Sequence, residues 1–121
     1  MRRLSEDEVN EINGYLSENI DVVYGKLILA HIGKDTKRML KTGEEPQEGR
    51  KLFKSMEASL KKLICYEWEY CSKRNNPEFN DNVNLVAAIG DIVATLSIGI
   101  PPFLIAAILV RKGLNQFCEC S

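Results

Sequence analysis

The sequence predicts an all-α protein, a four- to five-helix bundle that ends in a tight apolar helical hairpin. Three observations carry that prediction. Apolar residues recur at helical spacing in two long segments, Val9 to Leu27 and Phe53 to Leu63. No segment alternates apolar and polar residues as a half-buried strand does. Residues Val83 to Val110 are apolar almost throughout, carry Asp91 as their one charged residue, and are cut by Gly99 and the pair Pro101-Pro102. A chain of 121 residues is expected to form one domain, here the whole of 1–121 with the hairpin at 83–113. Its 45% hydrophobic and 27% charged residues are those of a globular protein and exclude disordered and collagen-like classes.

The first helix is signalled by its cap. Ser5 is a favoured N-cap and Glu8, three residues on, completes a capping box; Leu4 and Val9 flank it as a hydrophobic staple. Glu6, Asp7 and Glu8 suit the positive end of the helix dipole. Val9, Ile12, Leu16, Ile20, Val23 and Leu27 then follow at spacings of three and four. Asn19 offers a second cap, so residues 6 to about 32 read as one long helix or two in succession. Gly33 is the expected stop, and Met39 and Leu40 are expected to pin a short turn in the connection that follows.

The next helix is expected from about 47 to 73. Phe53, Met56, Leu60 and Leu63 form its apolar stripe, and Glu57–Lys61 and Glu69–Lys73 stand at the i,i+4 spacing of helical ion pairs. Its end is aromatic, with Tyr66, Trp68 and Tyr70; the interleaved Glu67 and Glu69 repel phosphate and favour core packing or a protein contact over nucleic-acid stacking. Asn75, Asn76, Pro77, Asn80, Asp81 and Asn82 break the helix, and Asp81 or Asn82 can cap the one that begins near Val83. Leu85, Val86, Ile89, Ile92, Val93 and Leu96 face one way along it, and Asn84, Asp91 and Thr95 the other. Gly99 ends it, a proline opens the last helix, Arg111 and Lys112 sit in that helix's final turn, and Gly113 caps it.

Charge is unevenly placed although the net is −1. Residues 1–25 hold two basic and six acidic side chains (2 − 6 = −4), residues 26–74 hold twelve and seven (12 − 7 = +5), and residues 75–121 hold two and four (2 − 4 = −2). The basic middle is expected to pair with the acidic start. No nucleic-acid partner is expected. Arg2 and Arg3 are followed by Glu6, Asp7 and Glu8 instead of an apolar run, which is no secretory signal, so a cytoplasmic location is expected. Cys65, Cys71, Cys118 and Cys120 are then expected to be reduced thiols, with Cys65 and Cys71 pointing apart on one helix.

No enzyme motif stands out. A couple of the single histidine, His31, with Cys65 or Cys71 lacks any local signature, the four cysteines lack the paired Cys-x-x-Cys knuckles of a zinc site, and no phosphate loop or nucleophile elbow is present. The expectation is a non-enzymatic helical protein–protein interaction module without metal or cofactor. The fate of 83–110 decides how it works. It is an internal core, or a surface through which Phe103, Leu104, Ile105, Ile108 and Leu109 meet a protein partner or a second copy. The alternative is a membrane-acting effector or small membrane protein that inserts the hairpin. Asp91 is the candidate buried acid, because a carboxylate held in that apolar stretch has its charged form disfavoured; otherwise, with Asn84 and Thr95, it marks the solvated face of its helix.

Overall fold

The computed structural model describes residues 3–32, 44–96 and 99–120. Among them all regular structure is helical: α1 Glu6–Ser17, α2 Ile20–Ile32, α3 Glu45–Lys61, α4 Tyr70–Lys73, α5 Asn82–Val93, α6 Pro102–Lys112 and α7 Leu114–Phe117. Short 3₁₀ turns precede and follow α5, at Pro77–Asn80 and Ala94–Leu96. The expected stop at Gly33 and the turn at Met39 and Leu40 lie outside the described residues.

The caps form as the sequence dictates. The Ser5 hydroxyl accepts from the Glu8 amide at 3.1 Å while the Glu8 carboxylate accepts from the Ser5 amide at 3.0 Å. Asp81 accepts from the Val83 amide at 2.8 Å. Gly99 at φ +74° stands before α6, and Gly113 at φ +97° caps its end; both are conformations that glycine adopts without a Cβ penalty. The long first helix is two helices. Glu18 is extended and the Asn19 side chain accepts from the Asp21 amide at 2.8 Å, starting α2 afresh.

The central element is α6. It packs on α5 along its length and touches α1, α2 and α7, while α2 and α3 pack along one another. Leu104, Ile105, Ala106, Ala107, Ile108 and Leu109 are all buried, as are Ile12, Val23, Tyr24, Leu27, Phe53, Leu60, Ile64, Val86, Ile89 and Val93 around them. Of the residues the sequence places in the core, Val9, Leu16, Ile20, Met56, Leu63, Leu96 and Phe103 are half-buried. Phe103 closes against α5 at Gly90, where a Cβ would stand 2.4 Å from its ring. The acidic start and basic middle do meet, through the Asp21–Arg50 and Glu18–Lys26 ion pairs.

Arg111 sits in the last turn of α6 as expected, and it also ties that turn to another helix. Its Nη1 donates to the carbonyls of Tyr15 at 3.0 Å and Glu18 at 2.6 Å. These are at the C-terminal end of α1, where carbonyls lack helical partners and a cation is favoured. Arg111→Ala is expected to lower stability by about 1 kcal/mol, measured by chemical denaturation. Arg111→Lys recovers only part of this, because an ammonium lacks the guanidinium's fork.

Tyr15 lies beside that junction. Its hydroxyl donates to the Glu11 carboxylate at 3.1 Å. Burial first, then the charge and hydrogen bond of Glu11 and the charge of Glu18, push its pKa up to about 12. A raised folded-state pKa means that the folded protein holds this proton more tightly than the unfolded chain does. The stability linked to it is complete below pH 10, the ordinary value for tyrosine, and is lost as pH rises from there to about 12. Denaturation midpoints should fall across that window, and Tyr15→Phe should flatten the fall.

Candidate functional site

The residues with the most unusual geometry gather where α3 ends. The helix does not run on to 73. After Lys61 it widens into a π-helix over Lys62–Glu67, with the Trp68 amide donating to the Leu63 carbonyl at 2.9 Å. Glu69 then turns left-handed, at φ 57° and ψ 55°, before α4 starts at Tyr70. The helix breaks at 68–69, which separates Glu69 from Lys73, and inside α3 Lys61 turns from Glu57 to the tail. Lys61 reaches Glu119 at 3.9 Å, and Lys73 bonds the Trp68 carbonyl with its Nζ 5.5 Å from the centre of that indole.

The same interruption brings the cysteines together, which corrects the expectation of reduced thiols pointing apart. Cys65 is bonded to Cys118 and Cys71 to Cys120, across 53 and 49 residues. A regular α-helix turns about 100° per residue and would set positions six apart on different faces. The π-turn and the left-handed Glu69 redirect the chain so that both sulfurs meet the tail. On that tail Glu119, between the two bridged cysteines, is again left-handed at φ 54°. Leu114 and Phe117 are buried beneath it, and the Tyr70 hydroxyl donates to Asn115 Oδ1 at 3.4 Å. Burial raises the Tyr70 pKa, which Arg74 partly offsets.

The aromatic residues of this turn divide. Trp68 stacks on Tyr70 with centroids 6.4 Å apart and leans on Phe79 at 5.6 Å, so both are packing residues. Tyr66 points outward with 69% of its surface exposed, the most exposed large apolar side chain among the described residues; the other is Val22 at 46%. Lys62, Glu67, Glu69 and Glu119 are exposed on the same turn and tail, an aromatic with a charged surround of both signs. The tail also walls a pocket of about 330 Å³ lined by Glu57, Lys61, Lys112, Gln116, Phe117 and Glu119.

The residues expected as an interaction or membrane surface are elsewhere. Leu104, Ile105, Ile108 and Leu109 are inside the core and Phe103 is half-buried, because α6 is enclosed by α1, α2 and α5. They offer no outer face in this state, which corrects their assignment as a surface. No described helix is long and apolar enough to cross a membrane. Asp91 is exposed, not buried: it projects from α5 on the side away from the buried Leu85, Val86, Ile89 and Val93, as Thr95 does. His31 is exposed, and Cys65 and Cys71 are both committed to bridges, so a thiol–imidazole couple has no thiol here.

The disulfide-braced corner was missed from the sequence. The even number of cysteines was its one available signal; nothing in Lys62–Glu67 marks a π-helix over an ordinary one. In comparisons with known proteins, no family model matches the chain, no curated protein matches it and no solved structure matches it.

Proposed function

We propose that this protein is a non-enzymatic helical module, a single domain, that binds a protein partner through the disulfide-braced turn at residues 62–73. The observation that carries this reading is the exposure of Tyr66 on a turn held by two disulfides. Tyrosine is among the residues that dominate binding energy at interfaces, and a backbone turn already fixed in place loses less entropy on binding. The π-helix and the left-handed Glu69 in the same turn are features that recur at functional sites. The α5–α6 hairpin is, on this reading, the frame of the module and not its contact surface.

The reading includes a location. The cytoplasmic placement expected from the sequence rested on Glu6, Asp7 and Glu8 standing where a secretory signal has its apolar run, and the reduced thiols followed from it; two bridges favour an oxidising compartment instead. The partner offers a pocket for the phenol ring and charges complementary to the mixed rim of Lys62, Glu67 and Glu119.

A photo-crosslinking residue at position 66, compared with one at the exposed Lys54 of α3, tests the proposal in the protein's own compartment. The expected result is a defined protein adduct at 66 that is missing at 54. Once that partner is purified, Tyr66→Ala should weaken its binding by about 30-fold or more, as at other interface hot spots. Equal labelling at both positions would reject the site. Release of dye from liposomes by the intact protein would favour the membrane-acting reading instead.

A further inference from the structure

We propose that the two disulfides are a redox lock on the 62–73 turn, so that a dithiol reductant converts the Tyr66 surface from fixed to mobile. This concerns the regulation of the site proposed above and rests on that reading for its output.

Three observations place the lock. Among the described residues the only non-glycine positions with positive φ are Glu69 and Glu119. Each lies inside the bridged framework, Glu69 between Cys65 and Cys71 and Glu119 between Cys118 and Cys120. A side-chain-bearing residue holds the left-handed region only where its surroundings over-determine it, and the bridges are the covalent constraint on both. Second, among the described residues the bridges are the tail's covalent ties, beside a small set of side-chain contacts that include the Phe117 ring under Lys61. The tail contributes Leu114 and Phe117 to the core and makes the Tyr70–Asn115 and Lys61–Glu119 contacts, while α5 and α6 hold one another through a continuous buried face. Third, all four cysteines are half-buried and none is enclosed in the core, which places the bridges at the edge of the bundle.

The chemistry balances as ordinary thiol–disulfide exchange. One thiolate of the dithiol attacks a sulfur of a bridge, forming a mixed disulfide and releasing the other cysteine as a thiolate. The second thiol of the reductant then attacks the mixed disulfide, leaving as a cyclic or intramolecular disulfide and freeing the second cysteine. Two electrons and two protons pass to the protein for each bridge opened. Glu69 and Glu119 then relax out of the left-handed region, the π-turn loses its tether, and Tyr66 is no longer held in one place.

Hydrogen exchange on the full chain, oxidised and after reduction with dithiothreitol, tests this. Exchange at 62–73 and 113–120 should accelerate about tenfold or more and become faster than that of α1, α5 and α6, which lose protection only with the overall stability. Unchanged exchange at 62–73 would overturn the lock. One common exchange rate throughout would overturn it too, by showing that the segment opens only with the whole bundle. The Cys71→Ala/Cys120→Ala variant, which keeps one bridge, is measured in parallel so that the comparison includes a folded chain, and its 62–73 peptides should also accelerate. Glu69→Gly relieves the left-handed penalty, so reduction should accelerate its exchange by about fivefold less than in the parent. An identical response would remove stored backbone strain as the driving force and overturn the mechanism. Exchange is read without any partner. Absence of a crosslinked partner in both redox states therefore defeats the proposed function and leaves the lock to stand or fall separately.

Discussion

Opening one disulfide is expected to cost less than half of what opening both costs, about 2.5–3 of about 7 kcal/mol. On the chain-entropy account, a bridge that closes a loop of about 50 residues stabilises the fold by about 4 kcal/mol. The two bridges are not independent. Once Cys65–Cys118 is closed, the second bridge closes only the residues from 65 to 71 and from 118 to 120, roughly ten in all, and adds about 2.5–3 kcal/mol. By symmetry either one alone keeps most of the constraint. Cys65→Ala/Cys118→Ala and Cys71→Ala/Cys120→Ala should each lose about 2.5–3 kcal/mol, or roughly 10 °C in Tm for a chain of this size. The variant lacking all four cysteines should lose about 7 kcal/mol, a large part of the 5–15 kcal/mol that a domain commonly has. Urea melts of the three variants check this. Strict additivity, with each bridge removing half of the total, would show that the bridges constrain separate parts of the chain.

That arrangement was not legible in the sequence, and the reason is geometric. Cysteines six apart on a regular helix diverge, so Cys65 and Cys71 read as unrelated thiols. The reading failed at Lys62, where the helix widens, and at Glu69, a residue type with no preference for the left-handed region it occupies. The helix caps, which depend on the residues beside them, were read well. The Ser5–Glu8 capping box, the Asp81 cap, the proline opening α6 and the Gly113 cap are all present. What depends on distant partners was not. Arg111 is read locally as a cation in its own last turn, but its acceptors are 93 and 96 residues away. Lys61 is read as the partner of Glu57 but turns to Glu119, which the bridges bring within reach. The hairpin was legible as buried but not as to what buries it. Only the placement of α1, α2 and α5 around α6 decides that Leu104 to Leu109 are core.

Gly49→Ala is expected to be among the most damaging single substitutions in the bundle, although alanine is the better helix former. Gly49 is buried in the first half of α3, where α3 crosses α2. A Cβ at that position would stand 1.9 Å from the Tyr24 carbonyl oxygen, 2.6 Å from its carbon and 3.1 Å from its Cα. All three atoms are backbone, so no rotamer change relieves the overlap and the two helices must separate. Tyr24 is itself held by an edge-on contact with Phe53 at 6.2 Å and by the Arg50 guanidinium 4.8 Å from its ring, and these contacts are strained with it. Against this, replacing glycine by alanine inside a helix normally gains about 0.5–1 kcal/mol. The overlap should win by a wide margin, giving a net loss of about 3 kcal/mol, the upper end of what overpacking costs. Two other glycines calibrate the result. Gly14 in α1 has nothing within 4 Å of a built Cβ, so Gly14→Ala should stabilise by about 0.5–1 kcal/mol. At Gly90 the obstacle is the Phe103 ring at 2.4 Å, a half-buried side chain that can swing aside, so Gly90→Ala should fall between the two. Thermal or urea denaturation of the three variants should therefore rank them Gly14→Ala, Gly90→Ala, Gly49→Ala in order of falling stability. A Gly49→Ala variant as stable as the parent would mean that α2 and α3 do not approach each other as closely as described.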